Sequence, residues 1–248
     1  MSSEKFVSKD ALRRIISDIK ELRRNPLNSH GIYYEHDETD MLKGRALIIG
    51  PADTPYEDGF YLFKFQFPAN YPHSPPKVEF CTSDGYTRFN PNLYRSGKVC
   101  LSILNTWKGE PWSGCQTISS VLLAMCTILN NEPLLNEPGV EKSHRDYASY
   151  NEIIRYKNIE VAIFGILKSV SEASISAASI STEASVNTNS IIEFSIFGDI
   201  MREYFQKNKE KIRQRIEQAL SEQKDIEYSI NVYKMAVFAN YKELLTRF

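Results

Sequence analysis

Among the side chains capable of covalent chemistry, the cysteines stand out, and one of them is distinguished by its neighbours. The chain has four, Cys81, Cys100, Cys115 and Cys126. No two share C-x-x-C spacing, and the histidines (His30, His36, His73, His144) form neither an H-E-x-x-H nor a Cys/His zinc pattern, so no metal site is expected. A cysteine attacks as its thiolate, which nearby cations favour. Arg95 and Lys98 lie just before Cys100, and no other cysteine has such a setting. Cys126 falls on an apolar helical stripe, Cys81 ends a strand, and Cys115 follows Gly114 in a loop; the first two are expected to pack. Upstream, Asn90-Pro91-Asn92 spells a defined turn, since asparagine side chains bond nearby backbone and proline fixes φ. Gly97 allows a second turn just before the cysteine. These residues suit an accessible nucleophilic thiol held in a shaped loop.

The elements that must position this loop can be read from periodicity. Leu12, Ile15, Ile16, Ile19 and Leu22 form the stripe of an amphipathic helix from Ser8, its expected N-cap, to Arg24 before Pro26. Its other face is basic, with Lys9, Arg13, Arg14, Lys20, Arg23 and Arg24 outweighing Asp10, Asp18 and Glu21. That face is either a solvated surface or a docking site for an acidic partner. From His30 to Phe80, aromatic and β-branched runs (residues 43–50, 60–67 and 77–80) broken by Pro and Gly suggest an antiparallel meander. Tyr71-Pro72-His73-Ser74-Pro75-Pro76 must be a rigid loop. Residues 81–111 show no regular period, which in a compact domain points to function. Ile118, Val121, Leu122, Met125 and Ile128 mark a buried central helix, and another helix is expected from Arg145 towards Leu167. A serine-rich stretch, 168–190, reads as a linker or surface loop. Beyond it, Ile191–Lys224 and Tyr228–Arg247 read as helices, giving a catalytic core of 1–167 and a helical extension of 191–248.

Composition bounds the function. The 248 residues carry 30 Lys+Arg against 31 Asp+Glu, a net charge of −1, which argues against a dedicated nucleic-acid binder. No apolar run approaches the ~18 residues needed to span a bilayer, so no membrane partner is expected. The first residues lack the apolar core of a secretion signal, and a cytoplasmic, or also nuclear, location with free thiols is expected.

The chain resembles a ubiquitin-conjugating enzyme. The likeness begins at Gly50-Pro51…Tyr56-Glu57-Asp58-Gly59 and continues through Phe67-Pro68 and Tyr71-Pro72…Pro75-Pro76. Asn90-Pro91-Asn92 stands at the family's His-Pro-Asn position, Cys100 follows at the family spacing, and Trp112-Ser113 precedes the helix at Ile118. It covers roughly residues 8–167. There are three departures: Asn90 replaces His, Gly114-Cys115 replaces Pro-Ala, and the Asn105–Pro111 stretch is longer than usual; Phe89-Asn90-Pro91-Asn92, residues 101–107 and Asn136-Glu137-Pro138-Gly139 resemble a divergent branch. The branch with a helical tail past the catalytic domain matches best. The implied fold is α+β: an N-terminal helix, a four-stranded antiparallel meander, a central buried helix and a C-terminal helical extension.

The resemblance implies acyl transfer. An activating enzyme spends ATP upstream, so no cofactor is bound here; Cys100 accepts ubiquitin or a ubiquitin-like modifier as a thioester and passes it to a substrate lysine or to a ligase. By analogy with that branch, the activating enzyme is the non-standard one. Asn92 then has two readings: donation to the oxyanion of the tetrahedral intermediate, or maintenance of the loop. A lysine nucleophile must lose its proton, and Glu137 aligns with the family's gate beside the cysteine, although an acid in an exposed turn is the plainer reading. Arg13, Arg14 and Lys20 would meet the activating enzyme. His73 and Gly114 fall in the loops that hold a ligase, where the family prefers Phe and Pro; they are otherwise ordinary loop residues. Trp107 either shapes the edge of the active site or packs a turn. Two rivals are an inactive member of the fold that displays ubiquitin, against which Cys100 counts, and a cysteine hydrolase. The latter needs a general-base histidine, and only His144 lies downstream.

Overall fold

The computed structural model of the chain describes residues 7–178 and 193–248, with side chains to residue 172 in the first stretch. Helix α1 (Lys9–Arg24) starts where Ser8 accepts from the Ala11 N–H and ends at Asn25, ahead of Pro26. Strands β1 (Ile32–His36), β2 (Lys43–Ile49), β3 (Phe60–Gln66) and β4 (Lys77–Phe80) form one antiparallel sheet in sequence order. Register pairs Tyr34 with Ala46, Leu47 with Leu62 and Phe63 with Phe80. In β4 the alternation is clean, Val78 and Phe80 buried, Lys77 and Glu79 exposed. Helix α2 (Ile118–Ile128) begins in a capping box between Thr117 and Ser120 and buries Ile118, Val121, Leu122, Met125 and Ile128. The α+β meander expected from the sequence is therefore present.

Several expectations need correction. Ile16 of the α1 stripe is 42% exposed, whereas Asp18, grouped above with the polar face, is buried at 4%. The Asp18 carboxylate is satisfied by the Tyr71 hydroxyl at 2.5 Å, Arg14 Nε at 2.8 Å and the Ile118 N–H at 3.3 Å. The central helix expected to be buried has one side at the surface, where Leu123 is 40% exposed.

The core boundary at 167 and the linker from 168 also shift. α3 (Tyr147–Lys157) runs into a π-helical segment, Asn158–Gly165, and then α4 (Ile166–Ala178) without a break. Val170 is 1% exposed and packs near Gly198, which gives this serine-rich stretch a buried anchor. Ser169 and Ser171 turn their hydroxyls back onto the helix carbonyls four residues earlier, so they do not compete for other backbone. The rest of the expected linker, from 179 to 190, lies outside the described residues.

In the extension, α5 (Gly198–Ser221) supplies most of the expected Ile191–Lys224 helix but starts later, after a 3-10 turn at Ser195–Phe197. The expected helix Tyr228–Arg247 is instead a hairpin, β5 (Glu227–Ile230) and β6 (Met235–Phe238), followed by the single-turn α6 (Tyr241–Leu245). Ile230, Met235 and Val237 are buried while Glu227, Ala236 and Phe238 are exposed, a period-two pattern that the helical reading missed. Lys234 at φ 51° closes the turn.

The extension does not hang free. Phe194, Phe197, Met201, Ile212 and Ile216 join the same continuous core as the sheet and α2. Asp58, 2% exposed, accepts from Tyr204 at 2.7 Å and Arg215 at 2.8 Å, both on α5.

Candidate active site

The turn at 90–92 is built from amides. Asn90 is fully buried; its Nδ2 donates to the Tyr56 hydroxyl and to the Ile128 carbonyl, both at 2.8 Å, and its Oδ1 accepts from the Asn92 N–H at 2.9 Å. Tyr56 in turn donates to the Phe89 carbonyl at 2.7 Å, and burial pushes its hydroxyl well above the usual phenol range, so it stays a donor. Asn136, from the turn after α2, donates to the Ile128 carbonyl at 3.2 Å. Where the family pattern has a histidine, Asn90 thus offers both a donor and an acceptor without an ionisable ring.

Asn92 and Cys100 are joined in both directions. The Cys100 N–H donates to the Asn92 carbonyl at 2.8 Å, and Asn92 Nδ2 donates to the Cys100 carbonyl at 2.7 Å. Asn92 Oδ1 is buried without a partner. Of the two readings of Asn92, this resting geometry is the loop-holding one. Gly97, at φ +83°, makes the turn that returns the chain to Cys100, and a Cβ there would lie 2.9 Å from the Glu79 side chain.

The thiol itself differs from expectation. Cys100 is 2% exposed, and its Sγ donates to the Thr106 carbonyl at 2.9 Å. The loop after the cysteine thus holds the sulfur through the Thr106 carbonyl. Thr106 Oγ1 accepts from the Leu101 N–H at 2.9 Å and lies 2.9 Å from the Val99 carbonyl, stapling that loop in place. The neighbouring cations point elsewhere: Arg95 donates to the Tyr233 carbonyl at 2.8 Å, and Lys98 lies over the Tyr94 ring. Neither of these contacts is to Cys100. Burial pushes the Cys81 thiol up to about 12 and raises that of Cys126, while Cys115 is exposed.

The remaining expected residues are scattered around this centre. Glu137 follows the short 3-10 turn Pro133–Asn136, but its carboxylate accepts from the Tyr233 hydroxyl of the hairpin at 2.5 Å, so it is tied to the extension. Pro91 is buried, and its carbonyl accepts from Arg88 at 2.6 Å. Trp107 is 44% exposed, which does not fit a packed turn residue. Arg13 is exposed and faces Asp10, and Lys20 is exposed. Arg14 is not a free docking cation: besides Asp18, it donates to the Gly114 carbonyl at 2.7 Å and the Gln116 carbonyl at 2.5 Å. Its role is to pin the Gly114 loop to α1. That loop and the His73 loop sit side by side, since Trp112 Nε1 donates to the Pro72 carbonyl at 2.6 Å. His73 and Gly114 are both exposed there.

Sequence reasoning missed Arg88, Thr106 and Tyr233. Arg88 sits two residues before the turn, and Thr106 six after the thiol. Those positions were available signals; Tyr233, far along the chain, had none. Among the described residues no cluster of His, Cys, Asp or Glu could hold a metal ion, and no helix is long and apolar enough to cross a membrane.

Comparison with known proteins adds family information. A family model described as ubiquitin-conjugating enzyme matches residues 14–158. The human protein named ubiquitin-conjugating enzyme E2 Z is 47% identical over 160 residues, 63% of this chain and 45% of that protein. Its Danio rerio counterpart is 46% identical over 164 residues, 65% of this chain and 49% of that protein. The human dual E2 ubiquitin-conjugating enzyme/E3 ubiquitin-protein ligase BIRC6 is 49% identical over 123 residues, 47% of this chain and 2% of that protein. The match spans about half the length of the E2 Z proteins.

Proposed function

The chain belongs to the ubiquitin-conjugating enzyme family, and from that premise we propose that it carries ubiquitin or a ubiquitin-like modifier as a thioester on Cys100. The observation that carries this reading is the reciprocal bonding of Asn92 and Cys100, which fixes one cysteine of four in the family's turn. In the first step the Cys100 thiolate attacks the modifier's C-terminal thioester on an activating enzyme, and that enzyme's cysteine leaves as thiolate. The acyl carbon remains activated towards amines. In the second step a substrate lysine, or a ligase cysteine, attacks the carbonyl and Cys100 leaves.

Both steps require the Thr106 carbonyl to release the sulfur, so the loop after Cys100 opens on charging. Once the thiol is acylated it has no proton to give that carbonyl, and the bond that holds the cover shut is lost. For a lysine of ordinary pKa about 10.4, proton removal must accompany attack. Glu137 serves as the acceptor if its bond to Tyr233 opens. ATP is spent by the activating enzyme alone, and the non-standard activating enzyme is the proposed donor. Arg13 and Lys20 on the exposed face of α1 are the proposed contacts for it, and the His73 and Gly114 loops for ligases. The cytoplasm, and also the nucleus, is the proposed location.

The test is to incubate the protein with ATP, ubiquitin or a ubiquitin-like modifier, and each of a panel of activating enzymes. A reductant-sensitive adduct with at least one pair, absent in Cys100→Ala, is expected. No adduct with any pair would favour the display-module reading instead.

A further inference from the structure

Beyond the turn and its cysteine, the C-terminal hairpin reaches the same loop through a continuous set of contacts. Arg88 is the link. Its Nε donates to the Asn90 carbonyl at 3.1 Å and one terminal nitrogen donates to the Pro91 carbonyl at 2.6 Å. The guanidinium therefore grips the outside of the turn whose inside is held by the buried Asn90 amide. Its carbon lies 3.4 Å from the Tyr94 ring centroid and 5.3 Å from that of Tyr233. Tyr233 also packs on Tyr150 at 5.7 Å, and Tyr150 donates to the Arg88 carbonyl at 2.8 Å.

The hairpin that presents Tyr233 is fixed independently of the ring. The Asp146 carboxylate, on a residue 4% exposed, accepts from the backbone N–H groups of Asn231 and Val232 at 2.8 and 2.9 Å. The Arg88 N–H lies 3.2 Å from Met235 Sδ, and the Tyr86 hydroxyl bonds the backbone of Ala236. A planar cation that bonds two successive carbonyls loses little freedom when aromatic faces already hold it.

We propose that Arg88 and Tyr233 are positioning residues for Cys100: the hairpin's tyrosine holds the guanidinium against the Asn90 and Pro91 carbonyls, and the turn so fixed sets the Asn92–Cys100 pair. The extension is thereby part of the transfer machinery and not a separate appendage. The kinetic part of this inference rests on the proposed function, whereas the structural part does not.

Two measurements on the full chain test it. Amide hydrogen exchange at Asn92 and Cys100 is compared in wild type, Arg88→Lys and Tyr233→Ala, with Ile48 in the sheet as the internal reference. Exchange about 10-fold faster at Asn92 and Cys100, with Ile48 unchanged, is expected. Lysine keeps the charge of Arg88 but cannot bond two carbonyls in a fork, so it probes the link even if Tyr233→Ala loosens the hairpin. In single-turnover discharge of the thioester to free lysine, both variants should lose about 10-fold in kcat with an unchanged lysine KM. Tyr233→Phe keeps the ring over Arg88 but frees Glu137, so its readout is exchange rather than kcat: Asn92 and Cys100 should exchange as in wild type. Phe238→Ser, on the exposed side of the same hairpin, should leave kcat as in wild type. Unchanged exchange at both amides in both variants would overturn the inference, whether or not the protein charges. A kcat loss without the exchange change, or equal exchange gains at Ile48, would overturn it too. If wild type forms no thioester, the proposed function falls, while the exchange comparison still decides the positioning claim.

Discussion

At Cys100 the balance between a covered and an available thiol depends on Thr106. Its hydroxyl bonds the backbone on both sides of the cysteine, and its carbonyl accepts a hydrogen bond from the thiol. Thr106→Val keeps the shape but strands the Leu101 N–H, a loss of roughly 1–3 kcal/mol for a buried donor. Alkylation of Cys100 by iodoacetamide, followed by peptide mass spectrometry, should then be about 10-fold faster. An unchanged rate would mean that this loop does not limit access. Cys81, with its thiol held protonated by burial, should stay unmodified at neutral pH in the same experiment. The turn before the cysteine was legible in sequence because Asn, Pro and Gly act through local backbone geometry. Tyr233 and Arg14 were not: each finds its partner about a hundred residues away, Glu137 and Gly114 respectively. Spacing along the chain carries no record of such pairs.

Among the elements, helices and sheet strands with strong periods were legible, and those decided by tertiary contacts were not. The hairpin of the extension has strands of four residues each, too short for a period-two pattern to stand out in the sequence. The π-helical segment is a second case. Asn158 opens it, 2% exposed, accepting from the Tyr61 hydroxyl at 2.6 Å and donating to the Glu57 carbonyl at 2.8 Å. Gly59 leaves the space: a Cβ there would lie 1.9 Å from Asn158 Oδ1. Gly59→Ala must displace that amide and should lower stability by about 1–3 kcal/mol in urea denaturation. A neutral result would show that the segment tolerates another path. At the β1 edge, His36 bonds Tyr34 at 2.8 Å and the Met41 carbonyl at 3.0 Å, and burial lowers its pKa. The unfolded chain therefore binds this proton more readily than the fold does. The stability His36 contributes is intact above its unfolded pKa of about 6.5 and is lost as pH falls below it. His36→Gln should flatten the stability–pH curve below about pH 6.5; an unaltered slope would contradict this.

On the scale of the whole molecule, core and extension should unfold as one unit. Asp58 is nearly sealed between α5 and the loop before β3, with Arg215 and Tyr204 as partners. Arg215→Met removes the countercharge from a buried carboxylate and should cost about 3 kcal/mol. Both tryptophans, Trp107 and Trp112, lie in the stretch between Cys100 and α2, so their fluorescence reports that part of the molecule, whereas far-ultraviolet circular dichroism also sees α5. The two probes should give coincident denaturation midpoints in wild type and in Arg215→Met. Separated midpoints would mean an extension that unfolds by itself, and would weaken its part in positioning the turn. The claim on which the rest depends is read most directly by intact mass spectrometry after charging with ATP, modifier and a competent activating enzyme. The account expects a gain of one modifier mass less one water, located on Cys100 by peptide mapping and fully reversed by reductant. A charged adduct that maps to Cys81, Cys115, Cys126 or a lysine, with Cys100 unmodified, would contradict it.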